Sequence, residues 1–423
     1  MQGTSKIVLE SRDSVFCAER GIKVLQLGFV NFKPNTYMLV EGTSSIDKFF
    51  IIQKGQVTSQ HTTPIPGSVP TVLGPGDFVG VIPCMSGQAQ TENVICLTDV
   101  TAIMVKKEQY PELIMRNTPV ALKIVRAFTK EMRTLNASLT KLTLKKASVE
   151  ENPEELFTVA KCYDKEGKFD IAVYAYYQYI KVCKNGAHIE DAKKRFVMLK
   201  KHATKAAYFE STEELIREYP ADTMIFSEHQ KGRDMFIIQE GSVRISKVVD
   251  NEEVTLALLK KGDMFGEMAL LEDQPRSASA IAHSQCKLMV VNKENFDQMV
   301  STQPQMIARL TTMLADRLWS MYRQLSNTVL LSPKEKVIDM LALQMEKQKI
   351  TTGSGFPYVT DLSPEDLVNL CGISAHDKPE GVNAIFNDPN LKVDMGKVII
   401  KDVSELIKTA AFYRKQNSKN ANR

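Results

Sequence analysis

Residues 262–280, GDMFGEMALLEDQPRSASA, place a carboxylate and a guanidinium behind a glycine turn: Glu267 follows Gly266, and Arg276 follows Pro275. An ionised glutamate only accepts hydrogen bonds, which suits a sugar hydroxyl. Arginine presents a fixed cationic fork that matches phosphate, and Ser277 adds a hydroxyl beside it. Between them EMALLE favours one or two helical turns, whose first N–H groups attract an anion. Gly266 stands where the backbone must turn tightly or admit a ligand closely. Phosphate and ribose recognition within one loop implies a compactly bound nucleotide. The alternative is a Glu267–Arg276 ion pair that braces the turn with no ligand, but it would need neither the glycine nor the small residues after Arg276.

The elements that would position these groups occur twice. FFIIQKGQV at 49–57 returns as MFIIQEGSV at 235–243, carrying Ile51 onto Ile237, a shift of 186 residues. The same shift carries Pro34 onto Pro220, Gly55 onto Gly241, Gly76-Asp77 onto Gly262-Asp263 and Gly80 onto Gly266, without a gap. Short β-branched runs broken by Gly, Pro, Asp and Asn make each copy a β-rich unit, and a helical stretch follows each. Glu267 falls on Val81 and Arg276 on Gln90 in the first copy, and Pro83 stands where the short helix should run. That copy is expected to be scaffold or dimer arm, or to take a different ligand.

FGEMALLEDQPRSASA resembles the phosphate-binding cassette of cyclic-nucleotide-binding domains, found in catabolite-activator (CRP/FNR) proteins and protein kinase A regulatory subunits. The resemblance implies an eight-stranded β-roll that binds cAMP or cGMP. It assigns Glu267 to the ribose 2′-hydroxyl, and Arg276, Ser277 and the backbone amides near Gly266 and Glu267 to the cyclic phosphate. Met268, Ala269 and Ala278 complete the cassette. The family's adenine-reading residue falls at Met321-Tyr322, where neither side chain matches it; Trp319 and Tyr322 are the candidates for stacking on a base.

Between the copies, Leu156, Ala160, Tyr163, Gly167, Ala172, Tyr176 and Tyr179 match a tetratricopeptide pattern, predicting a single αα-hairpin packed on a roll. Val125, Phe128, Met132, Leu135, Leu139 and Leu142 form a coiled-coil seam. A weaker seam at Ile307, Leu310, Leu314, Met321 and Leu325 is broken at Arg317. The seams can pair in trans, giving the favoured homodimer, or in cis as a pseudo-dimer. Past residue 331, a helix, a second helix closed by Gly372, a third over PEGVNAIFND and a hairpin turning at Met395-Gly396 resemble the winged helix-turn-helix of the CRP/FNR family. That resemblance implies DNA contact. The candidates are Ser374, His376, Lys378 and Asn383 on and before the third helix, Lys392 and Lys397 in the wing, and a basic tail. The family's arginines are missing.

The predicted class is α+β and multidomain. It comprises a degenerate cyclic-nucleotide-binding-like roll (1–118), a long helix (119–148), a TPR-like hairpin (149–202), an intact roll (203–304), a connecting helix (305–330) and a winged helix with basic tail (331–423). The function expected is a cyclic-nucleotide-responsive transcriptional regulator; the alternative is a nucleotide-controlled protein-interaction scaffold with a DNA-inert winged helix and a partner at the hairpin. Tandem rolls also occur in kinase regulatory subunits, but no Arg-Arg-x-Ser/Ala segment precedes these. The 423 residues are 43% hydrophobic and 25% charged with a net charge of +4, an ordinary soluble composition that neither demands nor excludes nucleic acid. Seven cysteines, odd in number and without a CxxC pair, read as reduced thiols, and with no apolar leader or span the protein is expected in the cytoplasm. No His, Cys or acid pattern suggests catalysis or a metal.

Overall fold

The computed structural model describes residues 27–44, 47–62, 65, 68–144, 152–209, 214–249, 251–348, 350, 357–373 and 376–421. Strands β1 (Gly28–Phe32), β2 (Tyr37–Leu39), β3 (Lys48–Lys54), β4 (Val57–Gln60), β5 (Thr71–Leu73), β6 (Phe78–Val79), β7 (Asn93–Cys96) and β8 (Val100–Lys106) form two antiparallel sheets, ordered β1-β8-β3-β6 and β2-β7-β4-β5. The short helix α1 (Val81–Ser86) forms although Pro83 was expected to displace it. Proline is tolerated there because first-turn N–H groups have no helical partner in any case.

After α2 (Tyr110–Arg116) and the long α3 (Thr118–Leu144) come α4 (Glu155–Lys165), α5 (Phe169–Val182) and α6 (Ile189–Leu199). The expected hairpin therefore has a third helix. Ala160 and Ala172, both fully buried, let α4 and α5 approach, while Tyr163, Tyr176 and Tyr179 fill the space between. The group packs on the second roll: the Tyr163 hydroxyl meets Ser246 Oγ at 3.2 Å and the Tyr174 hydroxyl donates to the Ile225 carbonyl at 3.1 Å.

The second roll repeats the first with β9 (Ile216–Tyr219), β10 (Met224–Phe226), β11 (Met235–Glu240), β12 (Ser242–Val249), β13 (Glu252–Lys260), β14 (Met264–Phe265), α7 (Glu267–Glu272), β15 (Ser279–Ala282) and β16 (Cys286–Val291). Its sheets run β10-β15-β12-β13 and β14-β11-β16-β9. The 186-residue shift holds in the strand register. Phe50 faces Val79 as Phe236 faces Phe265, and Val57 faces Leu73 as Val243 faces Leu259.

Helices α8 (Lys293–Thr302) and α9 (Pro304–Thr328) follow. The apolar stripes of α3 and α9 pack against each other within one chain. Phe128, Met132 and Leu135 share a buried cluster with Ile307, Leu310, Leu314, Leu318 and Leu325, and this cluster joins the interiors of both rolls. Of the two pairings expected for these stripes, the single chain adopts the one in cis.

The C-terminal unit contains α10 (Pro333–Lys347), β17 (Tyr358–Val359), α11 (Pro364–Leu370), α12 (Lys378–Asn387), β18 (Leu391–Asp394), β19 (Lys397–Ile400) and α13 (Val403–Ala421). Ser332 and Ser363 cap α10 and α11 with reciprocal capping boxes. Met395 and Gly396 both adopt positive φ, as a two-residue hairpin turn requires. Two differences from expectation stand out. The sheet has three strands, in the order β17-β19-β18, and most of the expected basic tail is α13, whose Val403, Leu406 and Ala410 are buried in the unit's core. Among the described residues no helix is long and apolar enough to cross a membrane, and no group of three His, Cys, Asp or Glu is placed to hold a metal.

Candidate functional site

Gly266 caps α7 in the left-handed region, φ +79°. A Cβ there would lie 2.6 Å from Arg276 Nη1, so the glycine serves both the turn and the approach of the guanidinium. Gly232 closes the other side, where a Cβ would stand 2.3 Å from Arg276 Nε. Arg276 donates from Nη1 to the Gly266 carbonyl and from Nη2 to the Asp234 carbonyl, both at 2.7 Å. Its Cζ lies 4.0 Å from the Phe226 ring centroid and 5.8 Å from that of Phe236. Burial lowers its pKa to about 10, against the opposing charges of Asp234 and others, so it stays cationic at neutral pH.

Glu267 opens α7 with its side chain only 2% exposed. Its cation is not Arg276: Arg317 on α9 donates from Nη1 to Glu267 Oε1 at 2.7 Å and from Nη2 to the Met264 carbonyl at 2.8 Å. The bare Glu267–Arg276 brace is therefore not the arrangement found. Met268 and Ala269 are buried in α7, Ser277 Oγ sits 3.8 Å from Met268 Sδ, and Ala278 precedes β15. All seven cassette residues stand together, along with Arg317, which entered the sequence reading only as a break in a seam. An arginine within an apolar stripe is the signal that could have found it, because such a cation needs a buried acid.

The base-capping candidates lie elsewhere. Trp319 Nε1 donates to the Ala89 carbonyl of the first roll at 3.1 Å, the Tyr322 hydroxyl donates to Glu131 on α3, and Met321 packs at the α3–α9 joint. The physical reason is helical rotation: at about 100° per residue, Trp319 and Tyr322 lie roughly 200° and 140° round α9 from Arg317. In the first roll, α1 has the same bounds as α7 after the shift, but Val81 and Gln90 replace the anchors and both are buried.

The candidate DNA contacts divide. Ser374 lies outside the described residues. His376, Lys378 and Asn383 are exposed at and along α12, and Lys392 and Lys397 are exposed on the hairpin. Three of the basic groups have an acid beside them: His376 with Asp377 at 3.0 Å, Lys392 with Asp394 at 3.3 Å and Lys397 with Asp361 at 2.9 Å.

Residues 29–117 and 216–303 each match the cyclic nucleotide-binding domain. Glu267 and Arg276 fall within the second of the two matched segments. The chain is 26% identical to the cyclic AMP receptor protein of Thermus thermophilus over 203 residues, 46% of this chain and 88% of that one. It is 31% identical to the cAMP-activated global transcriptional regulator CRP of Pasteurella multocida over 128 residues, 30% and 61% of the two chains. With the CRP-like cAMP-activated global transcriptional regulator of Mycobacterium tuberculosis it shares 24% identity over 195 residues, 46% of this chain and 87% of that one.

Proposed function

We propose that the chain is a non-catalytic, cyclic-nucleotide-responsive transcriptional regulator. It binds cAMP or cGMP in the second roll and DNA through the C-terminal unit, read as a winged helix. Arg276 and Ser277 hold the cyclic phosphate, and Glu267 takes the ribose 2′-hydroxyl. The observation that carries this reading is the connection from cassette to C-terminal unit. Glu267 is ion-paired to Arg317 on α9, and six residues further along α9 Arg323 pairs with Asp339 at 3.0 Å and Glu346 at 3.3 Å on α10. Arg414 on α13 meets Asp339 at 2.9 Å. A ribose hydroxyl arriving at Glu267 shares or displaces Arg317, which changes the seat of α9 and thereby the pose of α10 and α13.

A second reading, a nucleotide-controlled protein-docking scaffold, is favoured by one surface. Beside the acid-paired cations, Phe386 on α12 is 61% exposed and Met395 at the hairpin tip 98% exposed. Fluorescence anisotropy on pooled genomic fragments, with and without cAMP or cGMP across a salt series, separates the two. Regulation predicts binding that changes with one nucleotide and falls steeply with salt. Flat anisotropy under all conditions, with nucleotide still bound, would replace DNA by a protein partner.

A further inference from the structure

Building on the reading of the second roll as a cyclic-nucleotide site, we propose that Tyr174, on the helical group inserted between the rolls, is a positioning residue for nucleotide binding that acts through Gln230 on the loop holding Arg276. Loop 227–234 connects β10 to β11 and surrounds the arginine. The Arg276 N–H donates to the Gln230 carbonyl at 2.8 Å, and the His229 N–H donates to the Arg276 carbonyl at 2.9 Å. Further along the loop, Gly232 leaves room for Nε, and the Asp234 carbonyl accepts from Nη2. Backbone and guanidinium of Arg276 are thus both set by this loop, so a shift of the loop moves the group that meets the phosphate.

Chain preference alone does not hold the loop in this shape. His229 adopts φ +63°, a left-handed conformation that is unfavourable for a residue with a Cβ and persists where surrounding contacts impose it. Part of that constraint comes through the Gln230 amide oxygen, which accepts from the Ser227 N–H at 3.0 Å and lies 3.3 Å from the Tyr174 hydroxyl. The same hydroxyl donates to the Ile225 carbonyl of β10 at 3.1 Å, so one side chain of α5 ties the strand to the loop that leaves it. Burial raises the pKa of Tyr174 to about 12, and the hydroxyl keeps its proton at neutral pH. A cavity of about 450 Å³ adjoins the loop and is lined by Tyr174, Gln230, Lys231 and Gly232. Side-chain packing therefore does not fill this contact, and the hydroxyl supplies the tie that packing lacks. Helix α5, which lies outside the roll, becomes part of the nucleotide site.

Tyr174→Phe keeps the ring and removes the hydroxyl. Isothermal titration of the full-length variant with cAMP and with cGMP is expected to show the bound nucleotide held about three- to tenfold more weakly than in wild type. Arg276→Lys keeps the charge but loses the fork, and adding Tyr174→Phe to it should leave the affinity where Arg276→Lys alone puts it, because the tyrosine acts through the guanidinium. Tyr163→Phe is the matched control: it removes a hydroxyl of the same helical group that meets Ser246 Oγ at 3.2 Å, away from the loop. Its affinity should stay within about twofold of wild type. Unchanged affinity in Tyr174→Phe, an equal loss in Tyr163→Phe, or a Tyr174→Phe loss that adds in full to that of Arg276→Lys would each overturn the proposal and leave the nucleotide site standing. Wild-type protein that binds neither nucleotide would overturn both.

Discussion

Arg276 is held by geometry before any phosphate contact is considered. Two glycines leave room for its guanidinium, two phenylalanines face it, and two backbone carbonyls fix its terminal nitrogens. A cation oriented this way loses little freedom on meeting an anion, and such preorganisation favours tight binding. Glu267 is the more demanding residue, since a carboxylate buried this far requires its cation. Arg317→Ala is therefore expected to destabilise the protein by about 1–3 kcal/mol through the stranded Glu267. A lowered urea midpoint would report it, and an unchanged midpoint would show that the ion pair does not hold α9 to the cassette. The cassette was legible in the sequence because its anchors are contiguous and their chemistry is specific. Arg317 was not, because its partner lies 50 residues away and only folding brings them together.

At the scale of elements, α9 is where sequence reading and structure part. Its apolar spacing correctly marked a buried helix, but spacing does not reveal which neighbour each face meets. Trp319 and Tyr322 therefore turn to the first roll while Arg317 meets the cassette. The α3–α9 joint contains a titratable contact. Glu131 on α3 is pushed up to about 7 by burial, against the hydrogen bond from the Tyr322 hydroxyl, with the charge of Glu92 adding to the rise; the ring of His61 faces Tyr322 at 5.1 Å. A folded-state pKa above the unfolded value of 4.5 means that stability is lost as pH rises from about 4.5 to 7, with the loss complete above that range. Glu131→Gln is accordingly expected to melt higher than wild type at pH 8 and near wild type at pH 4.5. Equal melting temperatures at pH 8 would show that Glu131 ionises without cost. Strand elements were legible through the repeat, and the shift of 186 survives even in individual ladder pairs such as Phe50–Val79 and Phe236–Phe265. The third helix α6, strand β17 and helix α13 lie outside the repeat; Asn185-Gly186 before α6 and Asp402, whose carboxylate accepts from the Ser404 and Glu405 N–H groups at the start of α13, are the local signals that could have found the two helices.

Across the whole molecule, two rolls are joined through α3 and α9 into a pseudo-dimer within one chain, with each short helix near the long helix that follows the other roll. Arg133 on α3 pairs with Glu272 at the end of α7 at 2.6 Å, while α1 packs with α9 in the shared core. The duplication thus yields one intact cassette and one altered loop facing a common pair of helices. From there α9 continues into the ion-paired contacts of Asp339, a buried carboxyl held below its usual range: burial acts to raise it, and Arg323 and Arg414 outweigh that. The central claim is that nucleotide binds the second roll and not the first. Isothermal titration of cAMP and of cGMP into the full-length protein tests it most directly. One nucleotide should bind once per chain, and Arg276→Ala should weaken it by about 2–5 kcal/mol, roughly thirtyfold to several thousandfold. Two equivalent sites per chain, or an affinity untouched by Arg276→Ala, would contradict the account.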